Sequence, residues 1–207
     1  MPATTSPRPT GPDVAITPGR RPAAVLVPIC AAPGGPVVVV IRRTARGRHA
    51  GQHAFPGGRP EPGDADLLAT ALREAHEEVG IVPDAVTVLA ALPVVETIVT
   101  NYAISAYVGY LAVRPDLVAQ PEEVAEIVEV PLSALMEDGL PVVEDWDLPL
   151  PGEPWTAPAP DATPEQRRRT IRHYPWGSHR IWGATARVIE HLVCAIRAGR
   201  ITIPGLA

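Results

Sequence analysis

Cysteine and aromatic residues are scarce in this 207-residue chain. The two cysteines, Cys30 and Cys194, lie in apolar sequence without the spacing of a zinc site or a disulfide framework. Both are expected to be reduced thiols of the core, as suits a cytosolic protein. One Phe, four Trp and four Tyr leave the core to Val, Leu, Ile and Ala. Long hydrophobic runs are missing as well. The stretch from Ala23 to Ala32 is about half the length that crosses a bilayer. The first twenty residues hold no apolar signal core and end at Gly19-Arg20, so no secretory signal is expected and the protein should stay in the cytoplasm. An excess of positive charge is also lacking. The formal net charge is -5, so no global field draws nucleic acid, and an anionic ligand would need local Arg or a metal ion.

What is present is ample for a globular core, since 46 % of residues are hydrophobic. Residues 1–20 are rich in Pro, Thr and Gly and read as a disordered tail, leaving 21–207 as one domain. The segment 22–32 reads as a buried strand, and Val37 to Ile41, β-branched throughout, as the clearest one. A basic loop with Arg42, Arg43, Arg46, Arg48 and His49 follows. His53 to Arg59 reads as a short strand broken by a Gly-Gly turn. Residues 65–79 carry Leu68, Leu72, Ala75 and Val79 on one helical face, with Asp64 or Asp66 to cap the start and Gly80 to end it. Strands are expected at 85–95, 102–113 and 122–130. A short helix opened by Pro131, a strand at 167–174 and a helix over 179–198 complete the pattern. Residues 137–165, dense in Pro and acid, read as a long surface loop or insertion, open to use as a lid, as a contact between two copies in a homodimer, or as slack. The order is not strictly alternating. It suggests an α+β fold with a mixed β-sheet sandwiched between helices.

The chemistry concentrates in Arg73-Glu74-Ala75-His76-Glu77-Glu78. At helical spacing Glu74, Glu77 and Glu78 share one face, opposite the apolar stripe except at its edge. Three such carboxylates repel one another by a few tenths of a kcal/mol per pair (about 0.2–0.5 kcal/mol). A hard cation such as Mg²⁺ or Mn²⁺ would neutralise them. On its own the run is more often a plain solvated face. Gly57 and Gly58, an acidic loop with Glu61 and Asp64, and the helix followed by Gly80 and Ile81 form a far less accidental combination.

Residues 57–81 (GGRPEPGDADLLATALREAHEEVGI) resemble the signature box of the Nudix hydrolases: Gly, five residues, Glu, seven residues, Arg-Glu, apolar, any, Glu-Glu, any, Gly, apolar. Gly58 and the run from Arg73 to Ile81 match position by position. Asp64 stands in place of the first Glu, with eight residues between it and Arg73. That extra residue, Arg48 to Gln52 followed by Phe55-Pro-Gly-Gly58, and pieces at Glu122 to Glu126, Val130 to Ser133 and His179 to Arg187 resemble the coenzyme A diphosphatases of the family. The resemblance covers roughly residues 22–197 and implies a Nudix fold and a soluble enzyme acting on a small nucleotide. Coenzyme A would give 3′,5′-ADP and 4′-phosphopantetheine; ADP-ribose and NADH are the alternative substrates, and a non-catalytic binding module of the same fold is a third reading.

The resemblance assigns Mg²⁺ or Mn²⁺ to Glu74, Glu77 and Glu78. Arg73 would orient a glutamate of the cluster, or else form a surface pair with Glu77. The general base is left among Glu77, Glu78, Glu122 and Glu123. Substrate contacts fall to Arg43, Arg46, Arg48, Gln52, Gly57 and Gly58. No nucleic acid and no membrane is expected as a partner.

Overall fold

The computed structural model describes residues 17–45, 50–97, 100–147, 163 and 168–206. Most of the predicted N-terminal tail, the loop residues Arg46, Arg48 and His49, and residues 148–162, 164 and 165 of the Pro-rich segment lie outside the described residues.

The larger sheet grows from β1 (Arg21–Cys30). It pairs in parallel with β7 (Tyr102–Leu111) along its whole length and antiparallel with β2 (Val37–Arg43). Around these lie β3 (His53–Ala54) on β2, β4 (Gly57–Gly58) on β1, β5 (Thr87–Ala91) and β6 (Val95–Glu96) on β7, and β8 (Val124–Pro131) on the far side of β2. A second sheet joins β9 (Val142–Asp147), β10 (Arg168–Trp176) and β11 (His179–Trp182), all antiparallel.

Successive strand residues point to opposite faces, and the larger sheet uses this to bury both. Val39 and Ile41 of β2 enter one cluster with Ala24 and Leu26, under the helix α1 (Leu67–Val79). Val38 and Val40 enter the other with Val27 and Ile29, under the helix α3 (Gly183–Arg197). A short helix, α2 (Leu132–Leu135), follows β8. This is the mixed sheet between helices that the sequence pattern implies. Each fully buried Val, Leu or Ile contributes about 1.5–3 kcal/mol relative to an exposed one, so the two clusters hold both helices in fixed positions.

Helix α1 carries the site and is well terminated. Asp66 caps it, its Oδ1 accepting from Ala69 N at 2.7 Å, a cap usually worth about 1 kcal/mol. Gly80 takes the left-handed conformation at φ 76° and donates to His76 O, a conformation that costs glycine little. Of the two aspartates offered as caps, Asp64 turns elsewhere.

Four expectations need correction. The predicted helix over 179–198 starts only at Gly183. Residues 179–182 form β11 and turn back on β10, because Gly177 at φ 55° closes a hairpin in register Trp176↔His179. Within 137–165, Val142 to Asp147 is a strand rather than loop, its backbone paired from Val142↔His173 to Asp147↔Arg168. Cys194 is exposed on α3, while Cys30 is buried, so only one of the two thiols belongs to the core. The predicted strand over 85–95 is also divided: a single 3₁₀ turn at Pro83–Ala85, then β5 and β6.

Candidate active site

The apolar stripe of α1 sets which carboxylates face outward. Leu68, Ala71, Ala75 and Val79 are buried against β1 and β7. Glu77 then points to solvent with 54 % of its side chain exposed, and Glu74 lies part-covered. Glu78 is not solvated. It adjoins Val79 on the inward edge and is only 3 % exposed.

Arg73 gathers the acidic groups of the loop and helix. Its Nε and Nη2 donate to the two oxygens of Asp64 at 3.0 and 3.1 Å, a fork-to-carboxylate pair that a lysine could not reproduce. Nη1 donates to Glu77 Oε2 at 2.8 Å, and Nη2 lies 3.2 Å from Glu74 Oε1 and 3.1 Å from Arg59 O. Asp64 also accepts from Thr70 Oγ1 and Glu61 N, both at 2.9 Å. The Arg73 guanidinium and these donors hold the Asp64 carboxyl well below the usual carboxylate range. An Asp in place of Glu, with one more loop residue, reaches Arg73 from a loop tied back by its own hydrogen bonds.

The glycine pair closes the other side. Glu78 Oε2 accepts from Gly57 N at 2.9 Å. Its Oε1 is buried without a hydrogen-bond partner, 3.5 Å from Arg43 Nη1 in an ion pair. Burial, partly opposed by the Gly57 N–H and Arg43, pushes the Glu78 carboxyl up to about 7. Burial raises Glu74 as well, with Arg73 opposing. Glycine is required at position 57, where a Cβ would sit 2.6 Å from Val25 Cα, whereas one on Gly58 would meet the Glu74 carboxylate, 2.6 Å from its Cδ. Arg43 reaches on to Glu123 Oε2 at 3.9 Å. The site is thus a run of carboxylates, Glu77, Glu74 and Glu78, edged by two cations and by backbone that bulkier residues would displace.

Among the other predicted contacts, Gln52 offers its carbonyl to Arg43 N at 3.0 Å, fixing the loop that returns from β2. Arg46 and Arg48 lie outside the described residues. Among the described residues no three His, Cys, Asp or Glu side chains converge as a ready-made metal cage. The donors nevertheless suit a hard divalent cation: clustered carboxylate oxygens, one of them buried and orphaned. Sequence reasoning missed the contact of His53 with His179 and the place of Glu126 beside them. These residues are 126 and 53 positions apart, and no periodicity links them.

The NUDIX domain model matches residues 19–147, which include the whole helix, glycine pair and carboxylate run. The chain belongs to the Nudix family. Two curated relatives are both named uncharacterized Nudix hydrolase NudL. The protein of Citrobacter koseri is 44 % identical over 184 residues, spanning 86 % of this chain and 83 % of the relative. That of Cronobacter sakazakii is 36 % identical over 183 residues with the same coverage. A MutT/nudix family protein from Enterococcus faecalis superposes with a TM-score of 0.55 over 89 % of this chain and 65 % of its own. At 14 % identity that likeness concerns the fold alone. The carboxylate run on α1 lies within the matched region.

Proposed function

We propose that this Nudix protein is a cytoplasmic pyrophosphohydrolase that cleaves the diphosphate linkage of a small nucleotide, with coenzyme A as substrate and 3′,5′-ADP and 4′-phosphopantetheine as products. The observation that carries the reading is the buried Glu78 oxygen left without a hydrogen-bond donor, between the Gly57 amide and Arg43. An unsatisfied buried carboxylate oxygen costs about 1–3 kcal/mol or more, and a cation offsets that cost. Glu74, Glu77 and Glu78 would hold Mg²⁺ or Mn²⁺. When bound, such an ion neutralises diphosphate charge and lowers the pKa of a water.

The chain's own residues supply the rest. Arg73 holds Glu74 and Glu77 on the Asp64 anchor, so their oxygens are placed before substrate arrives. Arg43 is about one third exposed and free to turn from the carboxylates to a phosphate oxygen. The backbone of Gly57 and Gly58 lets the substrate come close. Arg46, Arg48 and Gln52 are the proposed contacts for the remaining phosphates. The proton of the attacking water goes to one of Glu77, Glu78, Glu122 or Glu123, and single Gln variants separate these. Coenzyme A is favoured by the flanks, from Arg48 to Gln52 and from His179 to Arg187, that resemble the coenzyme A group.

The test is product analysis with coenzyme A, ADP-ribose and NADH in parallel, with Mg²⁺ or Mn²⁺ and a Glu78→Gln control. Metal-dependent 3′,5′-ADP from coenzyme A, lost in the variant, is expected. A preference for ADP-ribose or NADH would retire the coenzyme A assignment and keep the hydrolase. A folded protein that cleaves none of them would be a binding module.

A further inference from the structure

On the sheet face away from the Nudix box, His53 of β3 and His179 of β11 meet edge to face. Their Nε2 and Nδ1 atoms are 3.1 Å apart, with the rings 85° from coplanar and their centroids 5.1 Å apart. The rest of the surroundings fix what each ring can do. His179 Nε2 faces Glu126 Oε1 at 3.7 Å, while Glu126 Oε2 accepts from Arg42 Nε at 2.8 Å. A carboxylate accepts only, so Glu126 favours the tautomer with the His179 proton on Nε2. That leaves a lone pair on Nδ1, aimed at His53. The main chain of His53 is pinned, since Thr185 Oγ1 donates to its carbonyl at 2.9 Å.

We propose that His53 Nε2 and His179 Nδ1 form a two-imidazole site for a borderline transition-metal ion of the Zn²⁺ class, completed by water and separate from the carboxylate site. Two imidazole nitrogens on one tetrahedral Zn²⁺ at 2.0–2.1 Å stand about 3.3 Å apart, so the observed separation of 3.1 Å is close to that of a chelating pair. Glu126, 3.7 Å from the far nitrogen of His179, stands where such sites place the carboxylate that orients a ligating histidine. Arg42 opposes an incoming cation, but its charge is already paired with Glu126. Imidazole prefers Zn²⁺, Co²⁺, Ni²⁺ or Cu²⁺ over the Mg²⁺ or Mn²⁺ suited to the Nudix carboxylates, so the two sites sort their ions by ligand chemistry.

The experiment uses the full-length chain without a polyhistidine tag, stripped with chelator and kept in excess Mg²⁺ to occupy the carboxylates. Co²⁺ is titrated and followed by its visible absorption, and stoichiometric Cu²⁺ is examined by electron paramagnetic resonance. One Co²⁺ per chain and a Cu²⁺ spectrum with two nitrogen ligands are expected. His53→Gln and His179→Gln should each weaken Co²⁺ binding at least tenfold, and Glu78→Gln should leave it unchanged. Absence of Co²⁺ binding under excess Mg²⁺, a Cu²⁺ spectrum without nitrogen coupling, or binding that survives both His substitutions would overturn the proposal. The Cu²⁺ spectrum of the unaltered protein decides the question even if a variant fails to fold.

Discussion

Replacing Glu78 by Gln should make the metal-free protein more stable while abolishing its activity, and the gain should grow with pH. In the folded chain Glu78 titrates near 7, against an ordinary value of 4.5. A carboxyl whose folded pKa is raised binds its proton more tightly when folded. Its contribution to stability is therefore fully present below about 4.5 and is lost as pH rises through 7. At 1.36 kcal/mol per pH unit, the burden of ionised Glu78 reaches about 3 kcal/mol at pH 8 and about 1 kcal/mol at pH 5. Gln keeps an oxygen for the Gly57 amide and carries no charge, so it escapes the burden.

For a chain of this size, about 2–4 °C per kcal/mol makes the melting midpoint of the variant roughly 6–12 °C higher at pH 8 in chelator. At pH 5 the advantage should shrink to roughly 2–4 °C. Thermal and urea denaturation of both proteins from pH 5 to 8, without divalent metal, measures it. A variant that is less stable at pH 8, or a difference that does not change with pH, would refute the assignment of Glu78 as an ionisable group strained by burial. Added Mg²⁺ or Mn²⁺ should stabilise only the parent, since a ligand that binds the folded state alone raises its stability.

Gly58→Ala should reduce turnover about a hundredfold, as a misplacement near 1 Å can, with a small change in melting point, because the new methyl meets only the movable Glu74 carboxylate. Gly57→Ala should instead lower stability by about 1–3 kcal/mol, since its methyl meets the β1 backbone; denaturation curves beside activity distinguish the two. Arg73→Lys should lose about ten- to a hundredfold in activity or metal affinity, measured by calorimetry with Mn²⁺, because one ammonium cannot serve Asp64, Glu74 and Glu77 together. Metal binding should release about half a proton at pH 7, from the share of Glu78 still protonated, seen as a dependence of the binding heat on the buffer's ionisation heat.

The parts of this fold that could be read from the chain are those set by neighbours in sequence. Asp66, the apolar spacing from Leu68 to Val79 and Gly80 define α1 by local rules, and the structure has that helix at Leu67–Val79. Val37 to Ile41 could hardly be other than a buried strand. His179 to Trp182 was open to misreading because four residues ahead of a helix can continue its period or alternate as a strand. Their pairing with β10 decides, through a hairpin whose other arm is also bound by Val142 to Asp147. The candidate site divides in the same way. The Arg-Glu and Glu-Glu pairs and the glycine pair lie within 25 residues and were visible together. The burial of Glu78 was not, since it depends on β4 crossing the end of α1. Nor was the His53–His179–Glu126 group, whose members come from three strands of two sheets.

The two groups of residues are kept apart by one local feature of β2. Arg42 and Arg43 are adjacent, so the strand sends them to opposite faces: Arg43 to Glu78 and Glu123, Arg42 to Glu126. On β8 the register slips between them, so that Glu126 stands opposite Arg42 and Val124 opposite Arg43, with Ala125 as the extra residue. A bulge of this kind re-aims side chains next to a site. With the slip, Glu123 and Glu126 each reach a different arginine and serve different faces. In unbroken register, Ala125 would stand opposite Arg43. Deleting Ala125 would therefore be expected to impair both groups at once, lowering hydrolysis and Co²⁺ binding together, whereas Arg42→Ala and Arg43→Ala would separate them.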